Sequence, residues 1–310
     1  MPALICGSLA YDTIMVFEDR FRNHILPDKV HMLNVSFFAP AMRREFGGCA
    51  GNIAYNLKLL GDEPVPMATV GQDFAPYRAH FQALDIRLDQ VRELSDYYTA
   101  QAFITTDLDD NQITAFHPGA MMLSHHNQVR EVEGIDFGIV APDSHDGMIQ
   151  HAEQFAEKAI PFIFDPGQAM PLFNSPQFRH FIELADYVTV NDYESELLQE
   201  RTGWRLSEMA QRVKAVIVTH GGKGSHIHTR EGTIEIPPAK AAAVVDPTGC
   251  GDAYRAGLIY GLTRDLDLAT TGRIASMMGA LKIAHAGTQN QKFTLDELRG
   301  HFREHYGYEF

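Results

Sequence analysis

The sequence has few cysteines and no long apolar run. Its 310 residues include three cysteines, an odd and small number that argues against a disulfide framework and predicts free thiols in a reducing compartment. No apolar stretch is long enough to span a bilayer, and the first twenty residues lack a basic region before their apolar segment, so they do not resemble a signal peptide. We therefore expect a cytoplasmic protein without a membrane partner.

Positive charge is also scarce. The chain has 26 lysines and arginines against 40 aspartates and glutamates, a formal net charge of −14 at pH 7. This balance argues against a broad basic surface for nucleic acid or anionic lipid, so we expect a polyanionic ligand to be bound in a local pocket. Two phosphate motifs are missing as well: the first strand has no G-x-G-x-x-G after it, and "GGKGS" (221–225) lacks the ending of a P-loop. A dinucleotide-dependent dehydrogenase is therefore disfavoured.

Short apolar runs that end in turn residues alternate with segments of helix length. Continuous apolar runs without period-2 alternation are typical of parallel strands buried on both faces. The pattern predicts an α/β fold with a doubly wound, mainly parallel sheet flanked by helices, in which ligands bind at the carboxyl ends of the strands. The five runs are "ALICG", "GIVAP", "PFIFDPG", "YVTVND" and "AVIVTHGG".

One region departs from this rhythm. In "YYTAQAFITTDLDDNQITAFHPGA" two β-rich runs flank an acidic tip, which predicts a hairpin. With the segment around 15–40 it forms a small β lid, and a two-stranded ribbon needs a partner surface. That surface is the substrate cleft or a second copy in a homodimer. We assign 1–12, 41–92 and 123–310 to the core, and 13–40 and 93–122 to the lid.

The stretch "VVDPTGCGDAYRAGLIYGL" (244–262) places a carboxylate on each side of a Pro-Gly turn that opens a helix. The backbone N–H groups at Gly249, Cys250 and Gly251 are expected to bind an anion such as phosphate. Asp252 is then placed to accept a proton from an attacking hydroxyl, whereas Asp246 suits a structural or cation-binding task. The alternative is that Asp252 only caps the helix and the glycines only form a turn.

Several motifs, in order along the chain, resemble the ribokinase (PfkB) family of carbohydrate kinases. "DPTGCGDAYRAG" resembles the second signature of the family and "FGGCAGNIAYNLKLLG" (46–61) the first, while "CGSLAYD", "NDYE" and "THGGKG" resemble its shorter motifs. Cys250 stands where the family usually has alanine or glycine, which leaves the backbone N–H unchanged. The resemblance implies a ribokinase-like fold and an ATP-dependent kinase.

The resemblance also implies the site residues. Asp252 would be the general base, with the turn of Gly249, Cys250 and Gly251 stabilising the transferred phosphoryl group. Glu194 would hold Mg²⁺ through water, and the place of Asp246 and Thr248 resembles the K⁺ site of some relatives. The remaining assignments are Asp12, Gly48 and Asn52 for the substrate hydroxyls, and Asn191, Glu194, Thr219, Gly221 and Gly224 for ATP.

The substrate expectation rests on a narrower resemblance. "DDNQITAFHPGAM" and "FDPGQ", together with the second signature, are similar to a prokaryotic nucleoside (adenosine) kinase branch of the family. This similarity implies phosphorylation of the 5′-hydroxyl of adenosine or another purine nucleoside, with Phe116 and Met121 covering the base. Packing within the lid is the other reading of these two side chains. The alternative functions are a kinase for a free sugar and a silent nucleoside-binding regulator; the intact set of Asp252, Asn191 and Glu194 favours the enzyme.

Overall fold

The computed structural model describes residues 2–25, 34–109 and 111–310. Part of the lid segment 13–40 and one residue of the hairpin tip therefore lie outside the described residues. In this part of the chain the strands are β1 Ala3–Cys6, β2 Ala10–Val16, β3 Ala41–Gly47, β4 Pro64–Gly71, β5 Val91–Leu94, β6 Ala100–Thr106, β7 Gln112–His117, β8 Phe137–Val140, β9 Phe162–Phe164, β10 Tyr187–Asn191, β11 Ala215–Thr219, β12 Ser225–Thr229 and β13 Gly232–Ile236. The α-helices are α1 Cys49–Leu59, α2 Ala75–Ala83, α3 His145–Glu157, α4 Ser175–Leu184, α5 Asp192–Thr202, α6 Leu206–Met209, α7 Cys250–Leu262, α8 Leu268–Ile283 and α9 Leu295–Tyr306.

The larger sheet has nine strands in the order β13-β12-β11-β10-β9-β8-β1-β4-β5. All neighbours from β11 to β5 pair in parallel, and β12 and β13 add an antiparallel edge. The five apolar runs of the sequence are β1, β8, β9, β10 and β11, so the predicted α/β fold with a mainly parallel sheet is confirmed. The strand order reverses beside β1, and such a switch point is where ligands bind in doubly wound sheets.

Both faces of this sheet are covered by helices. In β1, Ile5 packs into a core with α7 and α8, whereas Leu4 packs into a second core with α3 and α4. The helices α7 and α8 approach closely, because a Cβ on Gly257 would lie 2.5 Å from the Cα of Ala275. In the described part of the chain, no helix has both the length and the apolar character that crossing a membrane requires.

The smaller sheet has four strands in the order β3-β2-β6-β7. It contains the hairpin predicted around the acidic tip, β6 and β7, which pair antiparallel, while β2 joins β6 in parallel and β3 in antiparallel. Its strands therefore include Ala10–Val16, which overlaps the start of the segment 13–40, and Ala41–Gly47, which follows that segment. One face packs on the core at its base, where Tyr11 is buried beside Tyr77 with ring centroids 5.7 Å apart.

Candidate active site

The amino terminus of α7 forms a turn with free hydrogen-bond donors. Gly249 precedes the helix in the left-handed conformation, with φ 79°, which favours glycine. The N–H of Cys250 donates to the carbonyl of Pro247 at 3.1 Å. The N–H groups of Gly251 and Asp252 lie in the first helical turn, where no preceding helical carbonyl is available to them. Together with the positive end of the helix dipole, these groups form a site suited to an anion. We call residues 249–252 the anion turn.

Asp252 lies in this first turn and accepts a hydrogen bond from a residue 200 positions away. Asn52 Nδ2 on α1 donates to Asp252 Oδ2 at 2.8 Å. Burial raises the pKa of Asp252 to about 6, although the hydrogen bond from Asn52 and the charge of Arg255 act in the opposite direction. At neutral pH the carboxylate is therefore ionised and close enough in pKa to accept a proton.

A buried network behind Asp252 fixes the amide of Asn52. Gln289 Nε2 donates to Asn52 Oδ1 at 3.0 Å and to the Tyr77 hydroxyl at 2.7 Å, and His80 Nε2 lies 3.0 Å from Gln289 Oε1. Asn52 is only 4% exposed. Its amide therefore orients Asp252, in addition to any contact with a substrate hydroxyl. No motif in the sequence pointed to Gln289 or Tyr77, because their role depends on contacts between distant segments.

Asp12 and Phe116 lie in one row across the lid sheet. Asp12 on β2 is paired with Ala102 on β6, which is paired with Phe116 on β7. Side chains in such a row share one face, so the carboxylate and the ring lie on the same side, roughly 10 Å apart by strand spacing. Phe116 is 53% exposed, and burial together with the charge of Glu45 raises the pKa of Asp12 to about 6.

Gly48 connects the lid to the core at the start of α1. Its φ is 86°, and a Cβ at this position would lie 2.5 Å from the carbonyl oxygen of Ser8. Glycine is therefore required on steric grounds alone. Met121 is half-buried in the 3₁₀ turn Gly119–His126, which packs on β4 and α3. The structure thus places Met121 beside the end of the lid hairpin.

The residues expected to bind ATP meet at the carboxyl ends of β10 and β11, where Asn191 and Thr219 are directly paired. Asn191 and Glu194 form a capping box at the start of α5: Glu194 N–H donates to Asn191 Oδ1 at 2.7 Å, and Asn191 N–H donates to Glu194 Oε2 at 2.8 Å. Gly221 and Gly224 bound the short turn after β11, with φ of 54° and 95°. The N-x-x-E motif therefore has a structural task in addition to its proposed one.

Metal binding at Glu194 would need ligands from outside the protein. In the described residues, no group of three or more His, Cys, Asp or Glu side chains is arranged to hold a metal ion. Burial and the charge of Asp165 raise the pKa of Glu194, and the charge of Arg255 opposes this rise. One carboxylate with waters and nucleotide phosphates is the usual way in which Mg²⁺ is held in kinases, and Glu194 fits that mode.

A buried ion pair lies between Glu194 and Asp252. Arg255, one turn after Asp252, donates through Nε and Nη2 to both carboxylate oxygens of Asp165 at 2.5 and 2.9 Å. Asp165 is 2% exposed and Arg255 7%. The aspartate belongs to the "FDPGQ" segment after β9. This bidentate pair fixes the carboxyl end of β9 against α7 and places a guanidinium charge beside the base.

The loop that precedes the turn is held on both sides of Asp246. Its Oδ1 accepts the Thr248 N–H and its Oδ2 accepts the Gly287 N–H, both at 2.9 Å. Burial alone would raise the pKa of Asp246, but these hydrogen bonds and the charge of Lys282 lower it. Asp246 is therefore an ionised, structural carboxylate between two loops. The fully buried Lys282 beside it was not singled out in the sequence.

A cavity of about 730 Å³ lies elsewhere, between Asp186, Arg212, Lys214 and Leu268. Asp186 and Lys214 directly precede β10 and β11. The cavity is therefore at the amino-terminal edge of the sheet, and it contains none of the residues described above. The candidate active-site residues lie at the opposite edge of the sheet, where the carboxyl ends of the strands meet the lid.

Comparison with known proteins gives a consistent picture. Residues 18–294 match the sequence profile described as pfkB family carbohydrate kinase. A nucleoside kinase from Methanocaldococcus jannaschii is 32% identical over 277 residues, 88% of this chain and 90% of that protein. The structure of Burkholderia thailandensis nucleoside kinase in complex with inosine is similar, with a TM-score of 0.91 and 54% identity over 99% of both chains. The structure of the same kinase in complex with ADP-inosine has a TM-score of 0.88 and 56% identity, over 99% of this chain and 97% of that chain. With its parallel sheet, lid and anion turn, this chain belongs to the pfkB family of carbohydrate kinases.

Proposed function

We propose that this protein is an ATP-dependent nucleoside kinase that phosphorylates the 5′-hydroxyl of a purine nucleoside, with Asp252 as the general base. The observation that carries the proposal is the contact of Asn52 with Asp252 at 2.8 Å beside the amino terminus of α7. It supports the proposal because a carboxylate held at the amino terminus of a helix suits a proton acceptor beside a bound phosphate, which a simple binding protein does not need. The similarity to the Burkholderia thailandensis nucleoside kinase, solved with inosine, supports the substrate class.

In the proposed reaction the 5′-oxygen attacks the γ-phosphorus of ATP. The hydroxyl proton passes to the carboxylate of Asp252 as the new oxygen–phosphorus bond forms and the bond to the leaving ADP oxygen breaks. The N–H groups of Gly251 and Asp252 stabilise the charge on the transferred group, because the first turn of α7 holds them in place before the reaction begins. The pKa of about 6 at Asp252 keeps the base ionised at neutral pH.

The lid supplies the proposed substrate contacts. Asp12 accepts hydrogen bonds from the ribose hydroxyls, and a carboxylate fixes such a diol in one pose. Phe116, two strands away on the same face, stacks on the base. Its 53% exposure leaves a ring face available. We also propose that Met121 forms an adaptable wall of the base pocket.

The nucleotide is proposed to lie over the ends of β10 and β11. Thr219, Gly221 and Gly224 line the turn beside it, and Asn191 and Glu194 face its phosphates. Mg²⁺, held through water at Glu194, would neutralise charge on the phosphates when bound. ATP as the donor is supported by the ADP-inosine complex of the Burkholderia thailandensis kinase.

The substrate class is tested by comparing Phe116→Ala with wild type on nucleosides and on free ribose, with ADP release as the readout. We expect wild-type kcat/KM for inosine or adenosine to exceed that for ribose at least about tenfold, roughly 1.4 kcal/mol of extra transition-state binding. The substitution should lower nucleoside kcat/KM and leave any ribose activity unchanged. Phe103→Ala, on the opposite face of the same sheet by register, is the matched control.

Two results would contradict the nucleoside assignment. One is a higher kcat/KM for ribose or a hexose than for every nucleoside, which would make the chain a sugar kinase. The other is an equal loss on sugar and nucleoside in Phe116→Ala. Binding of nucleosides without ADP release under any condition would instead support the silent regulator.

We further propose a homodimer formed through the lid. The edge strand β7 is exposed along its whole length, and Leu108 and Ile113 on the hairpin are 55% and 43% exposed. An exposed edge strand with apolar side chains is a site for pairing with another chain. Light scattering at micromolar concentration should give twice the monomer mass; a single monomer mass would contradict this.

A further inference from the structure

Lys282 is a buried charge for which the proposed reaction has no use. It lies in the last turn of α8 and is 0% exposed. Its Nζ donates to the carbonyl oxygens of Asp246 at 2.8 Å and His285 at 3.1 Å. Burying an ammonium is costly unless its surroundings compensate the charge. Two carbonyls and the nearby Asp246 carboxylate stabilise the charge here, so the surroundings of Lys282 are suited to an ammonium group.

The two carbonyls belong to the loops that hold the anion turn. The N–H groups of Val245 and Asp246 donate to the carbonyl of Ile283 at 2.9 and 3.1 Å, and the Gly287 N–H donates to the Asp246 carboxylate. The loop after α8 and the loop before α7 are therefore joined on both sides of Lys282. The ammonium thus contacts Asp246, which lies three residues before Gly249.

This arrangement does not fit an exchangeable monovalent cation at Asp246 and Thr248. Such a cation needs free carbonyl and carboxylate oxygens. Both Asp246 carboxylate oxygens accept backbone N–H groups, and the Asp246 carbonyl accepts from Lys282. The oxygens that Asp246 could offer a potassium ion therefore already accept hydrogen bonds from the chain itself.

We infer that Lys282 is a positioning residue whose ammonium replaces an exchangeable monovalent cation beside the anion turn, so that the enzyme needs no potassium. The inference rests on the proposed kinase function and is an alternative to the expected K⁺ site at Asp246 and Thr248. The field of Lys282 reaches the first residue of α7: burial raises the pKa of Cys250 to about 11, and the charge of Lys282 opposes that rise. Burial lowers the pKa of Lys282 itself, and the charge of Asp246 opposes this.

The test compares monovalent ions on wild type, Lys282→Met and Lys282→Ala, with the exposed Lys292→Met as the matched control. Assays run at constant ionic strength with choline, sodium, potassium or ammonium as the cation. The kcat of wild type and of Lys292→Met should differ by less than about twofold among the four cations. Lys282→Met should lose kcat at least about tenfold with nucleoside KM little changed, because an oriented donor set acts mainly in the transition state.

Lys282→Ala removes the ammonium together with three methylene groups and leaves a space that an ion can enter, whereas methionine fills most of that space. Ammonium or potassium should therefore restore kcat more in Lys282→Ala than in Lys282→Met. The melting temperature provides a readout that needs no turnover. Potassium should raise it for Lys282→Ala and leave wild type unchanged, since an ion stabilises only a fold that binds it.

Activation of wild type by potassium of about fivefold or more, or full kcat in Lys282→Met, would overturn the inference. A potassium-dependent rise in wild-type melting temperature would do the same. If wild type transfers phosphate to neither nucleosides nor sugars, the proposed function fails, while the melting experiment still decides the role of Lys282.

Discussion

Replacing Asp252 with asparagine separates its proposed role as a base from its place in the first turn of α7. Asparagine has the same size, and its amide oxygen can still accept the hydrogen bond that Asn52 donates at 2.8 Å. The buried network through Gln289 can then remain as it is. The substitution removes only the group that accepts the proton, so a change in rate reports chemistry more than geometry.

The expected loss in kcat is about 10²- to 10⁴-fold, the usual contribution of a general base, with nucleoside affinity little changed. The same substitution should raise the stability of the folded protein. Burial raises the pKa of Asp252 from 3.8 to about 6, so the folded protein binds the proton more tightly than the unfolded chain. Stability is therefore lost as pH rises through this window. About two pKa units correspond to at most about 3 kcal/mol at pH 7.5.

The assays are steady-state ADP release at saturating ATP and calorimetric melting at pH 5 and 7.5. Asp252→Asn should melt at a higher temperature than wild type, with the larger gain at pH 7.5. Asp296→Asn, an exposed aspartate in the first turn of α9, should leave both quantities unchanged. A kcat within about threefold of wild type would show that Asp252 is only part of a helix terminus.

Three further predictions follow from charge and burial. Since burial raises the pKa of both Asp252 and Asp12 to about 6, kcat/KM should fall below pH 6 by tenfold per unit if one must be ionised and a hundredfold if both must; a profile flat to pH 5 excludes both. Arg255→Met leaves Asp165 buried without its partner and should cost about 3–5 kcal/mol in urea unfolding, partly restored by adding Asp165→Asn; a loss under about 1 kcal/mol argues against the pair. Burial raises the pKa of Cys250 to about 11, so iodoacetamide at pH 7.5 should label it more slowly than free glutathione by mass spectrometry, and faster labelling would contradict the burial effect.

The parallel sheet could be predicted from sequence because its strands are buried on both faces. "ALICG" and "AVIVT" carry no alternation, and that absence is itself the signal of a covered parallel strand. The lid was harder. Its hairpin had a clear acidic tip, but β2 and β3 enter the same sheet from segments that lie on either side of residues 26–33, and pairing between such distant strands leaves no local pattern.

The candidate site could be predicted from the sequence where the backbone geometry requires a particular residue type. Gly249 and Asp252 belong to a turn that opens a helix, and such a turn has a recognisable composition. Arg255 and Lys282 had no such signal. Each sits in a helix as one charged residue among apolar ones, and whether it points to solvent or to a buried partner depends on the elements packed against it. For Arg255 the structure shows a buried partner, Asp165.

The network behind Asp252 joins residues that are far apart in the chain, since Asn52 and Gln289 are separated by 237 positions. During synthesis the amino-terminal partner emerges from the ribosome long before the other exists. A chain interrupted before Gln289 carries every signature motif yet lacks the contact that orients the base, so on the proposed mechanism it should be inactive. Phosphoryl transfer would thus begin only after residue 289 has been synthesised. Fragments released earlier would not consume ATP, because their active site is incomplete.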